Sequence, residues 1–75
     1  MNFDKELDVR GLVCPLPLLR TKKALATINL EETLKIVATD PGSVIDFQAY
    51  VEQTNHELLS LSEINNEFIY YIKKG

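Results

Sequence analysis

The sequence predicts an α/β fold in which two helices cover one face of a four-stranded mixed sheet, a two-layer sandwich of order β-α-β-α-β-β. Three observations predict it. Apolar and polar residues alternate in short runs typical of strands, and two stretches between these runs carry apolar residues at helical spacing. The chain has only 75 residues, too few to cover both faces of a sheet. We therefore expect one domain over residues 1–75, with one sheet face partly open.

The first half of the chain supplies a strand, a helix and a second strand. Residues 5–9 (KELDV) place Leu7 and Val9 on one side, as a strand does. After a turn, the apolar period changes, and it predicts an amphipathic helix from residue 17 to about residue 29. Residues 33–38 (TLKIVA) alternate again and form the second strand. The expected core stripe of the helix is Leu18, Thr21, Ala24, Leu25 and Ile28.

A turn and a capping pattern predict the start of the second helix. The stretch TDPGS breaks the chain, and Ser43 followed three residues later by Asp46 fits a capping box, in which the two side chains satisfy backbone amides at the helix start. Val44, Phe47 and Val51 follow at helical spacing. We expect this helix to end near Asn55.

The last two strands form a hairpin. The runs ELLSLSEI and EFIYYIKK are rich in β-formers and are joined by Asn65 and Asn66. Because asparagine tolerates positive φ, this pair suits a two-residue hairpin turn.

Charge and composition exclude several functions. The net charge is −3, which gives no overall bias towards nucleic acid. Residues 1–23 hold five Lys or Arg against three Asp or Glu, whereas the rest holds three against eight. No apolar run has the length of a membrane span or the character of a signal peptide, so we expect a cytoplasmic protein without membrane insertion. One cysteine excludes an internal disulfide or dithiol couple.

The single cysteine lies in an unusual setting. Cys14 follows Gly11, which allows a sharp turn, and precedes Pro15 and Pro17, which suit a helix N-terminus. Helix N-termini favour the reactive thiolate. We therefore predict a rigidly held, exposed thiol of lowered pKa, with the amide of Leu16 or Leu18 pointing at the sulfur. The competing interpretation is a small buried hydrophobe, since free cysteine often packs in cores.

Other residues near the thiol are candidates for partner or anion binding. Arg10, Arg20 and Lys22 are cations on either side of it, and Arg10 is the nearest before it. Leu12 and Leu16 are candidates for an apolar docking rim, with core packing as the alternative. A metal site is not expected, because the only histidine, His56, is far from Cys14 in sequence and structural zinc takes four ligands. No cofactor is expected either.

The chain resembles the TusA-like (SirA-type) sulfur carrier family. The resemblance rests on LDVRGLVCPLPLLRTKKAL, with its leucine-aspartate, glycine and Cys-Pro-x-Pro layout before a helix. The stretches ETLKIVATDPG and HELLSLSEINNEFIYYIKKG are similar to the family's second strand with its Asp-Pro turn and to its final hairpin. The match covers nearly the whole chain.

The resemblance implies the same sandwich fold and a role for Cys14. In the family, this cysteine accepts sulfane sulfur as a persulfide and passes it on. Donors are cysteine desulfurases or rhodanese-like enzymes, and acceptors are DsrE-type proteins or other sulfurtransferases, on routes that include tRNA thiolation, sulfur oxidation, selenium metabolism and thiosulfate uptake. The resemblance therefore implies a sulfurtransferase-type carrier rather than a stand-alone enzyme. Leu16 and Thr39 stand where the tRNA-thiolation member carries acids.

Two other functions stay open at the level of sequence. A thiol-based redox or regulatory binding module needs reversible oxidation of Cys14, for which the chain offers no resolving thiol. A direct nucleic-acid binder would exploit the mildly basic first third, against the negative total charge. We expect neither direct nucleic-acid contact nor a bound cofactor.

Overall fold

The computed structural model describes residues 2–75, which form four strands and two helices in the predicted order. The strands are β1 (Lys5–Val9), β2 (Thr33–Ala38), β3 (Glu57–Ile64) and β4 (Glu67–Lys73), and the helices are α1 (Leu16–Leu25) and α2 (Ser43–Glu52).

The strands form one mixed sheet in the order β1-β2-β4-β3. β1 and β2 are parallel, because α1 crosses over between them, and the other two pairs are antiparallel. The register of β1 and β2 ends on the pair Val9 and Ala38. The loops that follow both strands therefore leave the same edge of the sheet, side by side.

The hydrophobic core lies between one face of the sheet and the two helices. The side chains of Phe47 in α2 and Tyr70 in β4 are fully buried, with ring centroids 4.3 Å apart. The hydroxyls of Tyr70 and Ser43 are hydrogen-bonded at 2.7 Å, so the buried polar atoms of this pair are satisfied. The other buried hydrophobic residues of the core are Val9, Ala24, Leu25, Ile28, Leu34, Ile36, Ala38 and Ile72.

The opposite face of the sheet is open to solvent, as the shortage of elements predicts. It carries the ion pair of Lys35 with Glu6 and the tilted ring contact of Phe3 with Tyr71. A shallow depression of about 250 Å³ lies on this face, lined by Glu6, Asp8, Arg10, Lys35, Val37, Glu67 and Ile69. Its mixed lining of both charges and apolar side chains explains why this face tolerates water.

The predicted elements are confirmed, and their boundaries differ in the helices. α1 begins at Leu16 rather than Pro17 and ends at Leu25 rather than near Asn29. Beyond Leu25 the chain continues in turns, because the amides of Thr27 and Ile28 bond three residues back, and Ile28 still reaches the core. α2 likewise ends at Glu52, short of the expected Asn55.

The hairpin prediction is confirmed, whereas the capping-box prediction is wrong. Asn65 and Asn66 have φ of 53° and 64°, as a two-residue turn between β3 and β4 requires. The residue before α2 is instead Gly42, and no side chain caps the helix. Ser43 is buried within the first turn, where Tyr70 takes its hydroxyl, and Asp46 bonds outside the helix altogether.

Candidate functional site

Cys14 lies exposed in the loop between β1 and α1, which excludes the buried-hydrophobe interpretation. Gly11 opens this loop with φ of 81°, a backbone conformation that L side chains rarely adopt. Pro15 is the residue just before α1, and the Cys14–Pro15 peptide bond is cis. Pro17 is buried in the first turn of the helix. The glycine and both prolines therefore occupy the turn and helix-start positions that the sequence predicts for them.

The loop is fastened to the neighbouring loop between β2 and α2. The amide of Gly11 donates to Thr39 Oγ1 at 2.9 Å, and the amide of Cys14 donates to Asp40 Oδ2 at 2.9 Å. Asp40 Oδ1 also accepts the amide of Gly42 at 3.2 Å, which fixes its own position. Because β1 and β2 are parallel neighbours, these two loops meet at one edge, and hydrogen bonds between them hold the backbone at Cys14.

The thiol of Cys14 donates to a carboxylate of α2. Its Sγ lies 3.1 Å from Asp46 Oδ2. This hydrogen bond raises the pKa of the Cys14 thiol. Desolvation and the negative charges of Asp46 and Asp40 raise it further, by smaller amounts. The predicted lowering of its pKa is therefore wrong. The amide of Leu16 donates to the carbonyl of Val13 at 2.9 Å, and the hydrogen bond of the sulfur is to Asp46 rather than to the amide of Leu16 or Leu18.

The candidate cations do not converge on the sulfur. The guanidinium of Arg10 bonds Asp8 at 2.9 Å and Glu67 at 3.3 Å, on the open face of the sheet. The hydrogen bonds from Arg10 lower the pKa of Asp8 to about 2. The ammonium of Lys22 lies 5.4 Å from the ring centroid of Tyr50. Among the ion pairs of residues 2–75, none involves Arg20 or Lys22.

Exposed apolar side chains concentrate on the segments that carry Cys14 and Asp46. Of the large hydrophobic residues that are exposed within residues 2–75, half belong to these segments, a set that we name the apolar rim. Leu16 belongs to it, as the sequence suggests, whereas Leu12 packs against the core. The rim consists of Val13 (65% exposed), Leu16 (41%), Leu19 (51%) and Ile45 (73%).

Within residues 2–75, no helix is both long and apolar enough to cross a membrane. In the same part of the chain, no three or more His, Cys, Asp and Glu side chains are grouped so that they can hold a metal ion.

The geometry therefore centres on one exposed thiol, held by two loops and two carboxylates. A sequence profile described as "Sulfurtransferase TusA" matches residues 5–74 of the chain. The chain belongs to the TusA family of sulfur carrier proteins.

Individual TusA-family proteins are similar over the same length. The chain is 49% identical to "Sulfur carrier protein TusA" of Allochromatium vinosum, over 99% of this chain and 97% of that protein. It is 37% identical to "Putative sulfur carrier protein YrkI" of Bacillus subtilis, with both chains covered completely. A crystal structure of a SirA-like protein from Desulfitobacterium hafniense superposes with a TM-score of 0.83 at 26% identity, covering 96% of this chain and 99% of that one.

Sequence reasoning misses the two carboxylates that contact Cys14. The sequence places Asp40 in a chain-breaking turn and Asp46 in a capping box, and neither pattern indicates a contact with the thiol loop. A signal for Asp40 was available, because the carboxyl ends of parallel strands meet at one edge and polar residues placed there converge on functional loops. Asp46 offered no comparable signal, since its contact with Cys14 depends on how α2 packs.

Proposed function

We propose that this protein, as one domain, carries sulfane sulfur on Cys14 as a persulfide between a donor protein and an acceptor protein. The observation that carries the proposal is the exposure of the chain's one thiol on a fixed loop, in segments that also carry the exposed side chains of the apolar rim. An exposed sulfur can enter the active site of another protein, and exposed apolar side chains mark surfaces that bind protein partners. Membership of the sulfur carrier family supports the same role and implies partner proteins.

The proposed loading step conserves atoms and electrons. The sulfur of Cys14 attacks the outer sulfur of a persulfide on the donor cysteine. The bond between the two donor sulfurs breaks as the bond to Cys14 forms, and the donor cysteine leaves as a thiolate that takes the proton lost by Cys14. Discharge to an acceptor cysteine is the same exchange in the opposite direction. No external oxidant or reductant is required, so one thiol is sufficient.

The family supplies candidate partners for this step. We propose a cysteine desulfurase or rhodanese-like donor and a DsrE-type or other sulfurtransferase acceptor, with tRNA thiolation among the routes served. Leu16 lies in the apolar rim beside the thiol, and Arg20 and Lys22 are exposed on α1 where they can guide an acidic partner. Arg10, already paired with two acids, is proposed to act only in a partner contact at the open face of the sheet.

The direct test is intact mass after loading. The purified protein is incubated with a cysteine desulfurase, pyridoxal phosphate and cysteine, without reductant. We expect a mass gain of one sulfur atom that a reductant reverses and that prior alkylation of the thiol prevents. Absence of the gain, with both an active desulfurase and a rhodanese plus thiosulfate, would remove the carrier proposal.

Ile45→Ser tests whether the apolar rim binds the donor. Ile45 is 73% exposed, so its replacement should change the free energy of unfolding by less than about 0.5 kcal/mol. If it contacts the donor, we expect the loading rate at subsaturating donor to fall about 5- to 10-fold, in the range of an interface residue. The rate is followed by intact mass against time.

Leu30→Ser is the matched control for this variant. Leu30 is similarly exposed (69%) but lies between α1 and β2, outside the rim. Loading by the desulfurase should keep the wild-type rate in Leu30→Ser. Equal rates in the two variants would contradict a role of the rim in donor binding.

The alternative of a redox or regulatory thiol receives less support from the site. Sensor cysteines are oxidised as thiolates and therefore have low pKa values. Asp46 instead raises the pKa of the Cys14 thiol. A protonated resting thiol is protected from adventitious oxidation, which suits a carrier that reacts only when a donor persulfide reaches it.

A further inference from the structure

Within residues 2–75, the two carboxylates beside Cys14 take part in no ion pair. Asp46 lies in the first turn of α2, and Asp40 accepts the amides of Cys14 and Gly42 just before that helix. Both carboxylates are therefore held at the start of α2, in contact with Cys14.

This arrangement acts against negative charge on Cys14. The S–H of Cys14 donates to Asp46 Oδ2 at 3.1 Å, and Asp40 holds the amide of the same residue at 2.9 Å. A thiol satisfies the Asp46 oxygen as a donor, whereas an anion at the same place faces two carboxylates. The same two charges also act on the Tyr70 hydroxyl, whose pKa is raised by burial and, to a smaller extent, by Asp40 and Asp46.

We propose that Asp46, together with Asp40, is a positioning residue that destabilises the persulfide of Cys14 and so favours transfer of its outer sulfur to an acceptor. This inference rests on the proposed carrier function. A persulfide is a stronger acid than a thiol, so loaded Cys14 bears its negative charge on the outer sulfur at neutral pH. That charge is repelled by the two acids, whereas the unloaded thiol is stabilised by its hydrogen bond to Asp46.

The consequence is that the sulfur-exchange equilibrium shifts towards unloaded Cys14. With a small persulfide as the donor, Cys14 thiol and the donor perthiolate exchange to give Cys14 perthiolate and the donor thiol. One sulfur–sulfur bond breaks, one forms, and the Cys14 proton ends on the donor sulfur. The carboxylates destabilise the Cys14 perthiolate and leave the donor perthiolate in solution unaffected. Sulfur therefore moves readily from Cys14 to an acceptor cysteine that has no such neighbours.

The Asp46→Asn variant measures this shift of the exchange equilibrium without any partner protein. Glutathione persulfide in excess glutathione is the probe, and intact mass gives the equilibrium ratio of loaded to unloaded protein. Because asparagine has nearly the same shape but no charge, we expect the exchange constant to rise about 3- to 10-fold. We also expect alkylation by iodoacetamide near neutral pH to accelerate about threefold, with its pH profile moved to lower pH. The gain in thiolate is partly offset by the weaker nucleophilicity of a more acidic thiol.

Two control variants separate this role from a structural one. Asp46→Glu keeps the charge and should restore the exchange constant to within about twofold of wild type. Glu52→Gln removes a charge from the exposed far end of α2 and should leave both readouts unchanged. The free energy of unfolding of every variant is measured in urea, so that a loss of stability caused by the substitution itself is recognised.

An unchanged or lower exchange constant in Asp46→Asn would overturn the inference, and so would an unchanged alkylation profile. Failure of every protein to form a persulfide with this probe would also overturn it. These outcomes are distinct from failure of the carrier function. If the wild-type protein exchanges sulfur with glutathione persulfide but accepts none from protein donors, the carrier proposal fails, whereas the effect of Asp46 on the exchange equilibrium stands.

Discussion

Replacement of Cys14 by serine is expected to abolish sulfur uptake completely. Cys14 is the only thiol in the chain, and a serine hydroxyl neither forms a stable bond to sulfane sulfur nor ionises near neutral pH. Because the side chain is exposed, the substitution should change the free energy of unfolding by less than about 0.5 kcal/mol. Intact mass after incubation with an active desulfurase and cysteine, or with a rhodanese and thiosulfate, measures the effect.

The matched control keeps the thiol and changes the surface nearby. Val13→Ser alters an exposed neighbour of Cys14 and leaves the sulfur in place, so it should still accept one sulfur atom, if more slowly. Labelling of Cys14→Ser by radioactive sulfur from cysteine would contradict the assignment of the carrier atom to Cys14. Loss of loading in both variants, with both folded, would point to the loop surface rather than to the thiol.

Replacement of Phe47 by alanine is expected to have the largest effect on stability. The Phe47 side chain is fully buried, and its ring lies against Tyr70 with centroids 4.3 Å apart. Removing a buried phenylalanine costs about 3–5 kcal/mol, through lost transfer free energy and the cavity left behind. A domain of this size has a free energy of unfolding of only about 5–15 kcal/mol. Urea unfolding followed by circular dichroism should therefore show a large loss, with a substantial unfolded fraction in the least stable case.

Phe3→Ala is the control for this prediction. It deletes the same atoms from a side chain that is 41% exposed and contacts only the open face of the sheet, so we expect a loss of less than about 1 kcal/mol. A loss in Phe47→Ala as small as that in Phe3→Ala would show that α2 is not anchored by this residue. The comparison matters for the site, because Asp46 is the residue next to Phe47 on α2.

The fold could be predicted from sequence because its signals are local. Strand alternation at Leu34, Ile36 and Ala38 and helical spacing at Thr21 and Leu25 arise from the geometry of each element alone, and all five side chains are buried as the patterns predict. The asparagine turn is likewise decided by the two residues themselves. Helix ends were predicted less well, since the winding beyond Leu25 depends on core contacts made by Ile28.

The chemical state of the thiol was decided by distant residues. The local pattern of glycine, prolines and helix start predicts a lowered pKa for Cys14, because that pattern contains only residues beside the thiol in sequence. The structure brings Asp40 and Asp46, respectively 26 and 32 residues away, to the amide and the sulfur of Cys14. At 3.1 Å, the hydrogen bond to the Asp46 carboxylate is the main reason why the pKa of the Cys14 thiol is raised.

The order of the elements, the open sheet face and the position of the one thiol follow from the sequence alone. Each depends on side-chain periodicity, chain length or the presence of a single cysteine. Which side chains contact the thiol, and what charge they carry, depends on the tertiary packing. The physical reason is that α2 is placed by burial of Phe47 against the sheet, and electrostatic effects on Cys14 follow the distance in space rather than the separation along the chain.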